Sequence, residues 1–138
     1  MATVTSMVMA TRTDAAPAPA FDARLFQQLL LRERAVPPAD LPQRWLLLEA
    51  AHVTGQTRLG PHLDTHARML ALAWETRDSR EVLGQLFRLL LVPLGHLTGR
   101  LPLGNAGRSD ISAFQAMPIR EDIAVLIAQV GQAVDGPR

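Results

Sequence analysis

Between Glu49 and Met69 the chain reads EAAHVTGQTRLGPHLDTHARM, and this stretch restricts the fold more than any other. Glu49, His52 and Gln56 follow one another at three- and four-residue steps, and so do His62, His66 and Met69 after the break at Gly60 and Pro61. Each half therefore sets its polar residues along one face of a helix. The link from Thr57 to Pro61, about five residues, is short enough to make the two helices antiparallel neighbours. Such a hairpin brings His52 and His62 to one end. Glu49 and His66 lie one turn further from the link, because a turn rises ~5.4 Å.

A Glu-x-x-His pair facing a His-x-x-x-His pair can form a cage for a divalent cation. The chain has no cysteine, so any metal must be held by imidazole and oxygen. The expected ligands are Glu49, His52, His62 and His66. Three nitrogens and one oxygen suit zinc best, with copper or non-haem iron as the other possibilities. If the metal instead keeps an open position for water, Glu49 becomes a base rather than a ligand. A bland reading stands beside this one: Glu49 in an ion pair with Arg44 or Arg68, and the histidines as satisfied core residues. Gln56 and Gln85 are candidates to hydrogen-bond a ligand imidazole. Met69 beside His66 reads as packing.

The remaining segments also read as helices. Phe21, Leu25, Phe26, Leu29 and Leu30 recur at helical spacing from an Asp22 cap to about Arg34, before Pro37 and Pro38. Asp40 caps a second helix that runs to Gly55. The third is expected from beyond Pro61 to about Arg77. Asp78 and Glu81 form a capping box for the fourth, with Glu81 reaching back as a cap and not as a ligand. That helix runs through Leu83, Leu86, Phe87, Leu90 and Leu91, a row expected in the core, until Pro93 breaks or bends it. His96 then falls in an irregular segment from Gly95 to Asp110. A returning fourth helix could carry it to the histidine end of the hairpin, but a loop histidine outside any spacing rule is expected to stand alone. Gly104 to Gly107, flanked by Arg100 and Arg108, reads either as a tight turn or as backbone amides offered to an anion. A last helix covers about Arg120 to Ala133, with Ile123, Leu126, Ile127 and Val130 on one side. No stretch alternates as a strand would. The expectation is an all-α bundle of about five helices, a single domain over 21–135, behind a flexible Ala/Pro leader at 1–20.

Composition narrows the partners. A formal charge of +1, with arginines spread along the chain, does not suit a nucleic-acid footprint, and 4% aromatic residues are too few for base stacking. The first residues do not form a signal peptide, and the apolar run from Phe87 to Leu97 is too short to span a membrane. A cytoplasmic location is expected. The competing function is a metal-free interaction or self-association module that uses the surface around Phe87 to Leu97.

The pieces LEAAHVTGQ, PHxxTHARML, REVLGQ and LPLGNAG, between Trp45 and Pro118, resemble a small bacterial family known only as a domain of unknown function. The resemblance implies a shared all-helical architecture and treats Glu49, His52, His62 and His66 as a set. It also includes Glu81 and Gln85. Where this chain has Ala106, that family is expected to carry threonine. No activity comes with the resemblance.

Overall fold

A computed structural model describes residues 20–136, so the leader expected at 1–20 falls almost wholly outside the described residues. Five helices account for the regular structure there: α1 (Ala23–Ala35), α2 (Leu41–Gly55), α3 (Leu59–Glu75), α4 (Ser79–Thr98) and α5 (Glu121–Asp135). Among the described residues there is no strand. The fold is an all-α bundle.

Three aspartates start three of the helices. Asp22 accepts from the amides of Arg24 and Leu25, Asp40 from Gln43, and Asp78 from Glu81, each taking up donors that an open helix end leaves unpaired. Helices α1, α2 and α5 pack on one another, α3 packs on α2, and α4 packs on α3. The core lies where the first three meet. Phe26, Leu29 and Leu30 of α1 face Leu47, Leu48 and Ala51 of α2 and Ile123, Leu126 and Val130 of α5, with Met69 and Leu72 of α3 closing it. Burying one such large aliphatic side chain is worth ~1.5–3 kcal/mol, so this cluster is the main stabilising element of the domain.

Helix α2 runs through the middle and has no exposed residue from Leu47 to Gly55. Both of its sides are interior. Glu49 is therefore buried whichever way it turns.

Two boundaries differ from the sequence expectation. Helix α3 begins at Leu59, so only residues 56–58 separate it from α2. Helix α4 carries on through Pro93 to Thr98 and stops at Gly99, which adopts φ 68°. Pro93 is exposed, where solvent can satisfy the carbonyl that the missing N–H leaves free. His96 is therefore a helical residue.

The orientation of α4 is the larger correction. Its buried residues are Glu81, Gln85, Arg88 and Val92, one face at steps of three and four. Most of the row expected in the core faces outward: Leu83 is 68% exposed and Leu90 74%, and of the five only Leu91 is half-buried. The inner face of α4 meets histidines and a polar loop rather than aliphatic side chains, so its polar residues turn in.

Candidate metal centre

The hairpin of α2 and α3 brings three imidazoles together. His52 Nε2 lies 3.0 Å from His62 Nε2 and 3.1 Å from His66 Nε2, and all three side chains are buried. The group can hold a metal ion.

Their outer nitrogens are each held by a different part of the chain. His52 Nδ1 is 2.9 Å from the carbonyl oxygen of Asn105, which can only accept, so Nδ1 carries the proton and Nε2 a lone pair. His66 Nδ1 is 2.7 Å from Gln85 Oε1. The amide of Gln85 cannot be turned round, because its Nε2 donates to Glu81 Oε1 and to the carbonyl of Gly107. His66 therefore also protonates Nδ1 and leaves Nε2 bare. Only His62 keeps a choice, since its Nδ1 lies 3.1 Å from His96 Nε2 and either ring can donate.

A proton on His62 Nε2 could serve one neighbour at most. The pair His52 Nε2 and His66 Nε2 still faces lone pair to lone pair at 3.1 Å. Burial pushes all three imidazoles well towards the neutral form; the neighbouring rings and the Arg88 charge push the same way at His52 and His62, while at His66 the Arg88 charge does so against the Gln85 hydrogen bond and the Glu81 charge. A shared proton is thus a poor remedy near neutral pH, whereas a cation is a good one.

Gln85 and His96 belong to α4, whereas the partner of His52, Asn105, comes from the loop between α4 and α5. Asn105 is fully buried: its side chain donates to the carbonyls of Ser112 and Gln115 and accepts from the amide of Gly107. This folds residues 104–109 into a cap over the rings. Ser109 donates from its amide and hydroxyl to Glu81, and its Cβ fills the space beside Gly84, where an added Cβ would lie 2.4 Å away. In this turn the carbonyls of Asn105 and Gly107 meet His52 and Gln85, while the amides of the same two residues donate to the carbonyl of Pro102 and to Asn105 Oδ1.

Glu49 is not in the group. Its carboxylate lies 3.3 Å from Arg108 Nη1 and 2.9 Å from Arg120 Nη2. Burial raises its pKa, and the two guanidinium charges only partly oppose that. Arg108 also lies 3.3 Å from Glu81 Oε2 and stacks 3.7 Å above the ring of Trp45. The arginines considered for Glu49 from sequence are engaged elsewhere: Arg44 with Glu33 and Glu75, Arg68 with Asp64.

Glu81 turns inward instead of closing a capping box: only 2% exposed, it accepts hydrogen bonds from Ser109 and Gln85 and forms an ion pair with Arg108. Burial alone would raise its pKa; the hydrogen bonds from Ser109 and Gln85 and the Arg108 charge hold it below the usual range. Gln56 is buried too, but it makes no hydrogen bond to an imidazole among the described residues.

The three rings open on a cavity of about 290 Å³. Its walls are mostly from the second half of α4 and the loop after it, and it holds Arg88 and Arg100 but no carboxylate.

Over residues 21–127 the chain matches the family described as "Protein of unknown function (DUF3703)". It belongs to that family. The match is wider than the span from Trp45 to Pro118 that carries the resemblance in sequence, and it takes in α1 and the first half of α5. No curated protein and no solved structure matches the chain. No helix among the described residues is long and apolar enough to cross a membrane.

Sequence reasoning missed Asn105 and Arg88 as residues of the site. The buried-polar content of the loop offered one signal: an Asn between two glycines that both require positive φ, Gly104 at 79° and Gly107 at 85°.

Proposed function

We propose that this protein binds a divalent transition-metal ion through the Nε2 atoms of His52, His62 and His66. One observation carries the reading: two buried imidazole nitrogens whose tautomers are fixed by their outer partners face each other at 3.1 Å with no proton between them. A tetrahedral zinc with bonds of ~2.0–2.1 Å sets its nitrogens ~3.3 Å apart, close to the spacing here. Zinc is favoured, with copper and iron as alternatives. In this reading Glu49 anchors Arg108 and Arg120 rather than the ion, and the metal's remaining positions face the cavity, as they do in sites that accept a water or a ligand. Glu49 does not line that cavity and so lacks access to act as a base. The absence of cysteine suits a reducing, cytoplasmic setting.

Cobalt(II), which reports its coordination through visible absorption, tests this. One equivalent should produce intense ligand-field bands that zinc abolishes. His66→Ala should remove them. Gln85→Ala, which frees the His66 ring without deleting it, should weaken binding about 10- to 100-fold. A wild-type protein that gives no zinc-displaceable spectrum would sink the reading.

A second reading rests on α4. Leu83, Leu90 and Leu97 recur every seven residues on an exposed face that also carries Leu86 and Leu94, a seam that another copy of the same helix can meet. The partner we favour is therefore a second copy of this chain, docked α4 to α4. Light scattering should then find a dimer, and Leu90→Glu with Leu97→Glu a monomer. A monomeric wild-type protein at high micromolar concentration would exclude it.

A further inference from the structure

The cavity beside the imidazoles combines two properties that point to its ligand. Its walls are apolar: Leu91, Val92 and Leu94 from α4, Leu101 and Phe114 from the loops. Its inner end is cationic. Arg88 is 5% exposed, and its Nη2 donates to the carbonyls of Arg108 and Ile111. Among the described residues it makes no ion pair, and the carboxylate of Glu81 is already engaged by Ser109, Gln85 and Arg108. Arg100 lines the same cavity.

A divalent ion on the three histidines would add two charges beside that guanidinium, which Glu81 and Asp110 offset only from outside the cavity, since no acidic side chain lines it. Like charges in a poorly solvated site repel strongly. An anion placed between them turns the repulsion into attraction on both sides. A carboxylate suits the place, because its two oxygens can divide between a metal and a guanidinium. The apolar walls call for a body without further polar groups. The volume, about 290 Å³, is at the small end of ligand pockets, ~300–1,000 Å³.

We propose that this cavity binds a small carboxylate with an apolar body, one oxygen on the metal and the other on Arg88, the hydrocarbon lying along Leu94, Leu101 and Phe114. This rests on the metal reading above and names the ligand class of that site. Metal and carboxylate then raise each other's affinity by the same factor.

Calorimetric titration of acetate, butyrate, hexanoate and inorganic phosphate into zinc-loaded and metal-free protein tests it. Hexanoate should bind the zinc-loaded form at least about tenfold more tightly than the metal-free form, the scale of one charge-assisted contact. Affinity should rise along the series by up to about fourfold per methylene. Arg88→Gln should weaken hexanoate about tenfold or more, read on protein already loaded with zinc. Arg88 also ties down the loop, so a second variant guards against misfolding: Ala113→Trp fills the cavity from its loop side and should block hexanoate while zinc still binds. Normal zinc uptake without carboxylate binding, an affinity indifferent to chain length and to Ala113→Trp, or a preference for phosphate would each overturn the proposal and leave the metal reading standing. Failure to take up zinc, copper or iron would overturn the metal reading, and this one with it.

Discussion

Replacing Gly107 by alanine is expected to destabilise the protein by about 3 kcal/mol or more and to remove most of its metal affinity. Gly107 sits at φ 85°, where an L side chain is strained by ~1–2 kcal/mol. A Cβ there would also lie 2.9 Å from Cδ2 of His52 and 3.0 Å from its Cγ and Nε2. The ring cannot retreat, because α2 is enclosed on both sides and Nδ1 is tied to Asn105. Either the loop lifts, which breaks the hydrogen bond from Gln85 to the carbonyl of Gly107, or His52 rotates away from His62 and His66. Both routes spoil the site. Thermal unfolding should shift down on the order of 10 °C, and the cobalt spectrum should weaken disproportionately. Gly60→Ala is the control: an added Cβ there meets nothing within 4 Å, and the change should be neutral or slightly stabilising. A Gly107→Ala protein with unchanged melting and metal uptake would mean that the loop does not cap His52 as described.

The second large effect is set by pH in the metal-free, chelator-treated protein. Burial, followed by the neighbouring imidazoles and Arg88, holds His62 down to about 3, while burial and the Arg88 charge, partly opposed by Gln85 and Glu81, hold His66 at about 4; His52 is held well below its ordinary 6.5. An imidazole whose folded pKa is lowered binds fewer protons in the fold than in the unfolded chain around pH 5. Its stabilisation is therefore complete above the unfolded value near 6.5 and is lost as the pH falls towards the folded one. His66 alone accounts for about 3 kcal/mol over its fall from 6.5 to about 4, at ~1.4 kcal/mol per pH unit. Glu81, held low, adds to the loss at still lower pH, whereas Glu49, held high, opposes it. Melting followed by circular dichroism should be flat from pH 8 to 7 and fall steeply between 6.5 and 4. No change between pH 6.5 and 5 would contradict the burial of three neutral imidazoles.

The histidine cluster was legible because its members come from two helices joined by a very short link. His62 and His66 at i and i+4 share a face on any helix, and His52 close before the link must lie at the same end. That inference survives a link of three residues in place of about five. The direction of Glu49 was not legible. Periodicity assigns a residue to an inside or an outside, and α2 has only insides from Leu47 to Gly55, so a carboxylate one turn from His52 could turn to the metal or to arginines on another flank. Those arginines are 59 and 71 residues away, beyond any local rule. His96 was placed in a loop because Pro93 usually ends a helix; on an exposed face it did not. Helix α4 was read inside out for a related reason. A leucine row marks the buried face only when the facing surface is apolar, and here α4 faces His66, Ser109 and the loop carbonyls. Arg88 and Asn105 became visible only when the loop was seen folded over the rings.

The most direct measurement is the metal content of the protein purified without a histidine tag and without chelators, by elemental mass spectrometry, beside a His52→Ala, His66→Ala double variant. The three-histidine centre predicts close to one transition-metal ion per chain in the wild type and none in the double variant, and it identifies the metal at the same time. No metal in either protein, together with no uptake when zinc, copper or iron is added, would contradict it and leave self-association through α4 as the reading to pursue.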